Sequence, residues 1–195
     1  MRNTETMTDA ELVATILDRA PDESCDILAG LLVKEAGLTS PSASDDATRL
    51  DAAIELGRRV DAKHAARTIT NVSDPVQAFR LIEPLVRGRQ KEHFYAVCLD
   101  TKNNVIATKL ISIGSLNASI VHPRELFKEA ILSSACTVIL AHNHPTGDST
   151  PSISDRQLTD RLAEAGRILG IEVVDHVIVG GDGQEYTSFA EERLI

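Results

Sequence analysis

Two histidines one residue apart, His142 and His144, are the side chains in this sequence best suited to metal chemistry. They follow the apolar run CTVILA, which is typical of a strand buried on both faces. In extended backbone, residues i and i+2 point to the same side about 6.5–7 Å apart, so Asn143 points the other way. Two imidazoles at this spacing can converge on one ion at bond lengths of about 2.0 Å. A shared metal ion is therefore possible.

A third candidate ligand lies at the start of the next helix. After the histidines the chain turns through Pro145 and Gly147, and the sequence predicts that a helix begins at Ser152. Asp155 lies near the first turn of that helix, where its carboxylate can fold back toward the histidines. Two imidazoles, one carboxylate and an open fourth position are typical of a catalytic zinc site. Iron, manganese and cobalt stay open as alternatives.

The same residues also have simpler interpretations. An isolated H-x-H pattern is a weak indication of metal binding, and Ser152-x-x-Asp155 is also the pattern of a helix cap. A cap and a metal ligand are compatible, because the first turn of a helix holds a side chain rigidly. The letters HNH also name a class of nucleases, but that name refers to residues separated by long intervals. The spacing by itself leaves metal binding open.

The longer string from His142 to Asp155 is more specific, because it matches H-x-H-P-x6-S-x-x-D at every fixed position. This pattern resembles the JAMM signature of the JAB/MPN metalloproteases. Within that family the chain most resembles the bacterial RadC-type (UPF0758) proteins, through the segments LDTKNNVI, GSLNASIVHPRELFKEAI, AGRILGI and DHVIVG. The resemblance covers residues 70–195 almost continuously.

The resemblance implies roles for four residues of the motif. In the family the two histidines and the aspartate bind Zn²⁺, which carries over to His142, His144 and Asp155. The family's serine corresponds to Ser152, whose hydroxyl would stabilise the oxyanion of a tetrahedral intermediate.

The resemblance also implies a general base. In the family this is a glutamate on the first strand, and we match it to Glu92, just before HFYAVCLD. Spacing does not fix a base so far upstream, and Glu125 in HPRELF is a competitor. The remaining candidates, His93, His122 and His176, are expected to stay outside the site, with His176 a core histidine in an apolar strand.

These assignments predict a zinc-dependent metallohydrolase that cleaves a peptide or isopeptide bond of a peptide or protein substrate with metal-activated water. Two alternatives use the same residues differently: a DNA-associated RadC-type accessory protein of repair or recombination, and a metal-dependent nuclease. Cytidine deamination is excluded, because it needs an H-x-E and a P-C-x-x-C that are missing here. No feature of the sequence indicates which substrate is cleaved or what the oligomeric state is.

The pattern of elements divides the chain into a helical N-terminal region, residues 1–69, and an α/β domain, residues 70–195. The first region is predicted to hold a helix capped at Thr8, a second helix over 21–37 and a third after a polar linker at 38–48. It lacks the Gly-x-Gly turn of the DNA-binding helix-hairpin-helix that RadC-type proteins usually carry. In the second region strands alternate with helices, which predicts a layered α/β domain. The resemblance implies a JAB/MPN fold, a layered sheet with flanking helices similar to that of cytidine deaminases.

The composition argues against nucleic-acid and membrane partners. The formal net charge is −9, whereas tight binding to nucleic acid depends on Lys and Arg. No run of about 18 apolar residues is present, and acidic residues stand where a signal peptide needs a basic start. Three scattered cysteines fit a reducing compartment. We therefore expect a cytoplasmic protein.

Overall fold

The computed structural model describes residues 7–17, 46–114, 121–180, 183 and 185–195. The chain divides into two units, residues 1–64 and 65–195. The predicted second helix and most of the predicted linker lie outside the described residues. Among the helices that are described, none is both long enough and apolar enough to cross a membrane.

The N-terminal unit contains α1 (Asp9–Leu17) and most of α2 (Asp46–Thr68). The predicted capping box opens α1: the Thr8 backbone N–H donates to Glu11 Oε2 over 2.7 Å, and the Glu11 N–H donates to Thr8 Oγ1 over 3.2 Å. This reciprocal pair satisfies two backbone donors that have no partner inside the helix. Helix α2 begins at Asp46, so the last three residues of the predicted linker are helical.

A mixed five-stranded sheet with helices on both faces forms the second unit. Its elements are α3 (Pro75–Val86), β1 (His93–Leu99), β2 (Val105–Ile113), α4 (Pro123–Leu132), β3 (Thr137–His144), α5 (Ile153–Leu169), β4 (Glu172–Gly180) and β5 (Tyr186–Ser188). The strand order is β2-β1-β3-β4-β5. Strand β3 is therefore the central strand, antiparallel to β1 on one side and parallel to β4 on the other. The predicted α/β class is confirmed.

Strand β3 contributes to the cores on both sides of the sheet. Val138 and Leu140 pack with α4 and α5 on one face, whereas Ile139 and Ala141 pack with α3 on the other. Because successive strand residues point to opposite faces, a strand covered on both faces needs a continuous apolar run. The prediction from CTVILA is therefore confirmed.

Helix α4 buries a narrower stripe than its apolar spacing predicts. The pattern puts Leu126, Phe127, Ala130 and Ile131 on one face, but Ile131 is 57% exposed while the other three are buried. At about 100° per residue, the three buried side chains fill an arc of about 100°, and Ile131 lies about 40° beyond its edge.

Close packing of α5 against the sheet depends on Gly166. A Cβ at this position would lie 2.4 Å from the Ile171 carbonyl oxygen and 3.1 Å from Phe127 Cζ. Alanine is the better helix former by about 1 kcal/mol, but overpacking costs about 1–3 kcal/mol, so we expect Gly166→Ala to lower the free energy of unfolding. Gly57 is the matched control, since nothing lies within 4 Å of its added Cβ, and Gly57→Ala should stabilise the chain. Urea unfolding of both variants measures the difference, and equal shifts would contradict the packing argument.

Candidate metal centre

The two motif histidines lie at the end of the central strand. His142 pairs with Phe94 on β1 and with Ile178 on β4, so its backbone is fixed from both sides. The Nε2 atoms of His142 and His144 are 3.0 Å apart, which places both rings on one side of the strand. His142 is fully buried, whereas 14% of the His144 side chain is exposed. The pair is therefore rigidly mounted and reached by solvent from the His144 side.

Helix α5 brings Asp155 to the histidines through its first turn. Ser152 is the N-cap, and the Asp155 N–H donates to its Oγ over 3.2 Å, while the Ser152 N–H donates to Asp155 Oδ2 over 2.8 Å. The capping box fixes the Asp155 side chain, which is 2% exposed. Asp155 Oδ1 lies 3.4 Å from His142 Nε2, and Oδ2 lies 3.4 Å from His144 Nε2. The candidate ligand Asp155 is thus also the N3 residue of the capping box, as the two compatible interpretations of the sequence allow.

The three side chains form a possible metal site. Within the described part of the chain they are the one group of three or more His, Cys, Asp or Glu residues whose ligand atoms could share an ion, all lying within 4.8 Å of one another. Tetrahedral ligands at about 2.0–2.1 Å from zinc are roughly 3.3–3.4 Å apart. The two Nε2 atoms are 3.0 Å apart, and each lies 3.4 Å from a different oxygen of the Asp155 carboxylate, so both histidines are near that edge length from the carboxylate. The residues therefore fit a small cation.

Hydrogen bonding favours a cation at the same point. The Nδ1 of His144 lies 2.7 Å from the Asp148 carbonyl oxygen, which can only accept, so the ring proton is on Nδ1. When the ring is neutral, the Nε2 of His144 therefore carries a lone pair directed at His142 and Asp155. Electron-pair donors that converge in this way repel one another unless a proton or a metal cation lies between them.

The pKa directions of His142 and Asp155 fit a metal site, whereas the raised pKa of His144 favours a protonated ring, which must lose its proton before it can bind a metal ion. Burial lowers the pKa of His142 more than Asp155 raises it, so this ring is neutral. Burial also lowers the pKa of His144, but the Asp155 carboxylate and the Asp148 carbonyl outweigh burial and leave the pKa raised. Burial raises the pKa of Asp155, whereas the two histidines and Ser152 together hold it far below its usual range. An ionised carboxylate beside a neutral buried imidazole is a set of groups that a metal ion requires.

Ser152 has its hydroxyl directed at Asp155. The Oγ lies 2.6 Å from Asp155 Oδ2, a distance typical of a hydroxyl that donates to a carboxylate. In this arrangement its proton is used within the capping box. Donation to an oxyanion, the role that the resemblance implies, requires the hydroxyl to rotate away from Asp155.

Glu92 is held near the histidines by Asn143, the residue between them. The Asn143 side chain accepts from the His93 N–H over 2.8 Å and donates to the Lys91 carbonyl over 3.1 Å, so it fixes the backbone on both sides of Glu92. Burial and Asp155 have the larger effects on the pKa of His142 and of His144, and the charge of Glu92 is a smaller effect that raises both.

Glu125 has different surroundings. Its side chain is 49% exposed and pairs with Arg124 at 2.9 Å. The hydrogen bond from Arg124 lowers the pKa of this carboxyl group. Of the two candidate bases, Glu92 is therefore the one whose charge raises the pKa of both motif histidines.

Of the three histidines that were expected to stay outside the site, His176 contacts a motif histidine. His93 Nδ1 lies 2.9 Å from the Lys91 carbonyl, and His122 is the N-cap of α4. His176 is buried in β4 as predicted, but its ring also contacts His142, a contact that sequence reasoning missed. The sequence signal that could have indicated this contact is a single imidazole within the largely apolar strand segment IEVVDHVIVG, since a buried ring of this kind needs a polar partner.

Comparison with known proteins gives the family. The model of the RadC-like JAB domain matches residues 72–194. A UPF0758 protein of Shouchella clausii is 55% identical over 134 residues, which are 69% of this chain and 58% of the relative. A UPF0758 protein of Moorella thermoacetica is 45% identical over 193 residues, or 98% of this chain and 82% of the relative. A UPF0758 protein of Methanosarcina acetivorans is 38% identical over an alignment of 205 residues, gaps included, which covers 98% of this chain and 88% of the relative.

These matches differ in how much of the relative they cover. The chain spans less than two thirds of the length of the Shouchella clausii protein, but more than four fifths of the Moorella thermoacetica protein. The resemblance to RadC-type UPF0758 proteins is confirmed by the family match over most of the second unit. With its five-stranded sheet and the grouped His142, His144 and Asp155, the chain belongs to the RadC-like JAB domain family.

Proposed function

We propose that this protein is a zinc-dependent hydrolase that cleaves a peptide or isopeptide bond. The observation that carries the proposal is the convergence of two imidazoles and one carboxylate at a site that is partly open on the His144 side. Three protein ligands and an open position are typical of catalytic zinc, whereas structural zinc sites are closed by four. Zinc, when bound, would lower the pKa of water and polarise a carbonyl group.

The chain's own residues would divide the remaining work. His142, His144 and Asp155 would hold the ion, and Glu92 would take a proton from water and pass it to the leaving nitrogen. Ser152, after its hydroxyl rotates, would donate to the developing oxyanion. One carboxylate that accepts and returns a proton is sufficient for amide hydrolysis.

The substrate class and the cellular compartment that we propose are consistent with the composition of the chain. The substrate is a peptide or a protein, and nucleic acid is not expected, because the chain has an excess of acidic residues. A cytoplasmic location fits two free cysteines, Cys98 and Cys136, among the described residues.

The proposal is tested by metal analysis and a cleavage assay on the same preparation. We expect the purified chain to bind about one zinc per molecule. With zinc it should cleave members of a peptide library containing α-amide and lysine ε-amide bonds, and in ¹⁸O-labelled water each new carboxyl group should carry the label. A chain that neither retains zinc nor can be reloaded contradicts the proposal. DNA cleavage that is lost in His144→Ala, without peptide cleavage, would favour the nuclease alternative.

A further inference from the structure

His176 is a buried polar side chain that the proposed mechanism does not use. Its ring lies in the core on β4, and its ring centroid is 5.5 Å from that of Phe94 and 4.8 Å from that of Phe189. Both of its nitrogens have polar neighbours: Nε2 lies 2.8 Å from His142 Nδ1, and Nδ1 lies 2.6 Å from Thr159 Oγ1. Thr159 is also buried, at 1% exposure.

Counting hydrogens fixes the direction of every bond in this chain. Thr159 Oγ1 lies 2.6 Å from the Asp155 carbonyl oxygen, which can only accept, so the single hydroxyl hydrogen is donated there. The Nδ1 of His176 must then donate to Thr159 Oγ1. A neutral imidazole has one N–H, so the Nε2 of His176 accepts, and Nδ1 of His142 donates to it.

The last step leaves His142 with a lone pair on Nε2, the atom that lies 3.4 Å from Asp155 Oδ1. We propose that Thr159 and His176 are positioning residues, which hold His142 in the tautomer and ring orientation that a metal ion needs. This inference rests on the proposed zinc site. The chain of hydrogen bonds starts at the main-chain carbonyl of Asp155, so one end of it belongs to the same residue as the third ligand.

His144 differs from His142 in the partner of its Nδ1 atom. Its Nδ1 is held by one carbonyl oxygen, that of Asp148 in the loop after β3, and it is partly exposed. A partner for the second nitrogen of a ligating histidine fixes the tautomer and raises the basicity of the ring. For the fully buried His142 the partner is a second imidazole, whose own tautomer has to be fixed by Thr159.

The test compares the Thr159→Val and Thr159→Ser variants with the unmodified chain. Valine has nearly the same shape but no hydroxyl, so His176 Nδ1 loses its acceptor, whereas serine keeps the hydroxyl. Losing such a partner costs about 10–100-fold in metal affinity, so Thr159→Val should weaken zinc binding by that factor in competition with a chelator. Thr159→Ser should stay close to the unmodified chain. His176→Phe, which keeps a ring between Phe94 and Phe189, should lose zinc affinity like the valine variant.

A second measurement does not depend on zinc. Long-range ¹H–¹⁵N spectra of the metal-free chain report which ring nitrogen carries the proton, and we expect Nδ1–H for His142 in the unmodified chain and in Thr159→Ser. In Thr159→Val this tautomer should be mixed, while the urea midpoint shows whether the fold is kept. Nε2–H on His142 of the unmodified chain, or equal zinc affinities across folded variants, would overturn the inference. A protein that binds no zinc but shows Nδ1–H on His142 would contradict the proposed function and support the series of hydrogen bonds from Thr159 to His142.

Discussion

The Asp155→Asn variant is expected to lose zinc while Ser152 still caps α5. Asparagine keeps an oxygen that can accept from the Ser152 N–H, the bond that spans 2.8 Å in the capping box. It removes the negative charge that faces His142 and His144 at 3.4 Å. Mutation of a residue that only hydrogen-bonds to a metal ligand costs roughly 10–100-fold in metal affinity. Loss of a direct ligand should therefore weaken zinc binding by more than that. Metal analysis after dialysis, with zinc affinity from chelator competition, measures the effect.

Asp74→Asn is the matched control for this variant. Asp74 is the N-cap of α3 and accepts from the Gln77 N–H over 2.8 Å, and it is not part of the grouped ligands. Asparagine is about as good an N-cap as aspartate, so zinc content and stability should both be unchanged. If Asp155→Asn keeps full zinc affinity, the carboxylate acts only as a cap and the metal site is wrongly assigned. If it unfolds, Ser152→Ala shows how much of the loss is due to the cap.

The Glu92→Gln variant is expected to keep zinc and lose hydrolysis. Glutamine has the shape of glutamate but cannot accept a proton at neutral pH, and Asn143 still fixes the backbone on both sides. General acid–base catalysis typically contributes about 10²–10⁴-fold, so cleavage of library peptides should fall by that factor. Equal zinc content in the two proteins would show that the loss concerns proton transfer. The measurement is the rate of ¹⁸O incorporation into the cleaved peptides.

Glu125→Gln decides between the two candidate bases. Because Glu125 is half exposed and paired with Arg124, we expect this variant to cleave at the unmodified rate. The opposite pattern, in which Glu125→Gln is inactive and Glu92→Gln is active, would reassign the base. If both variants keep full activity, neither carboxylate transfers the proton.

Much of the fold follows from local patterns. The continuous apolar run in β3 predicts a strand covered on both faces, and the structure places it at the centre of the sheet. Thr8 and Ser152 each precede a helix that begins where the cap predicts. Such signals depend on neighbours within a few residues, and the backbone forms them with the same geometry in most folds.

The residue types and spacing of the motif also determined the donor set. His142 and His144 point to one side of β3 because strand residues alternate, and Asp155 is fixed by its own helix cap. The family was readable for the same reason, since its signature is a run of fourteen neighbouring residues in the printed sequence.

Only the tertiary structure decided which distant residues support this set. Asn143 reaches the backbone around Glu92, and His176 reaches Thr159 as well as His142. These contacts join strands and a helix that are adjacent because of the strand order and register, and local periodicity encodes neither. A buried polar group is costly without a partner, so each such side chain must find one, but its identity depends on the packed fold.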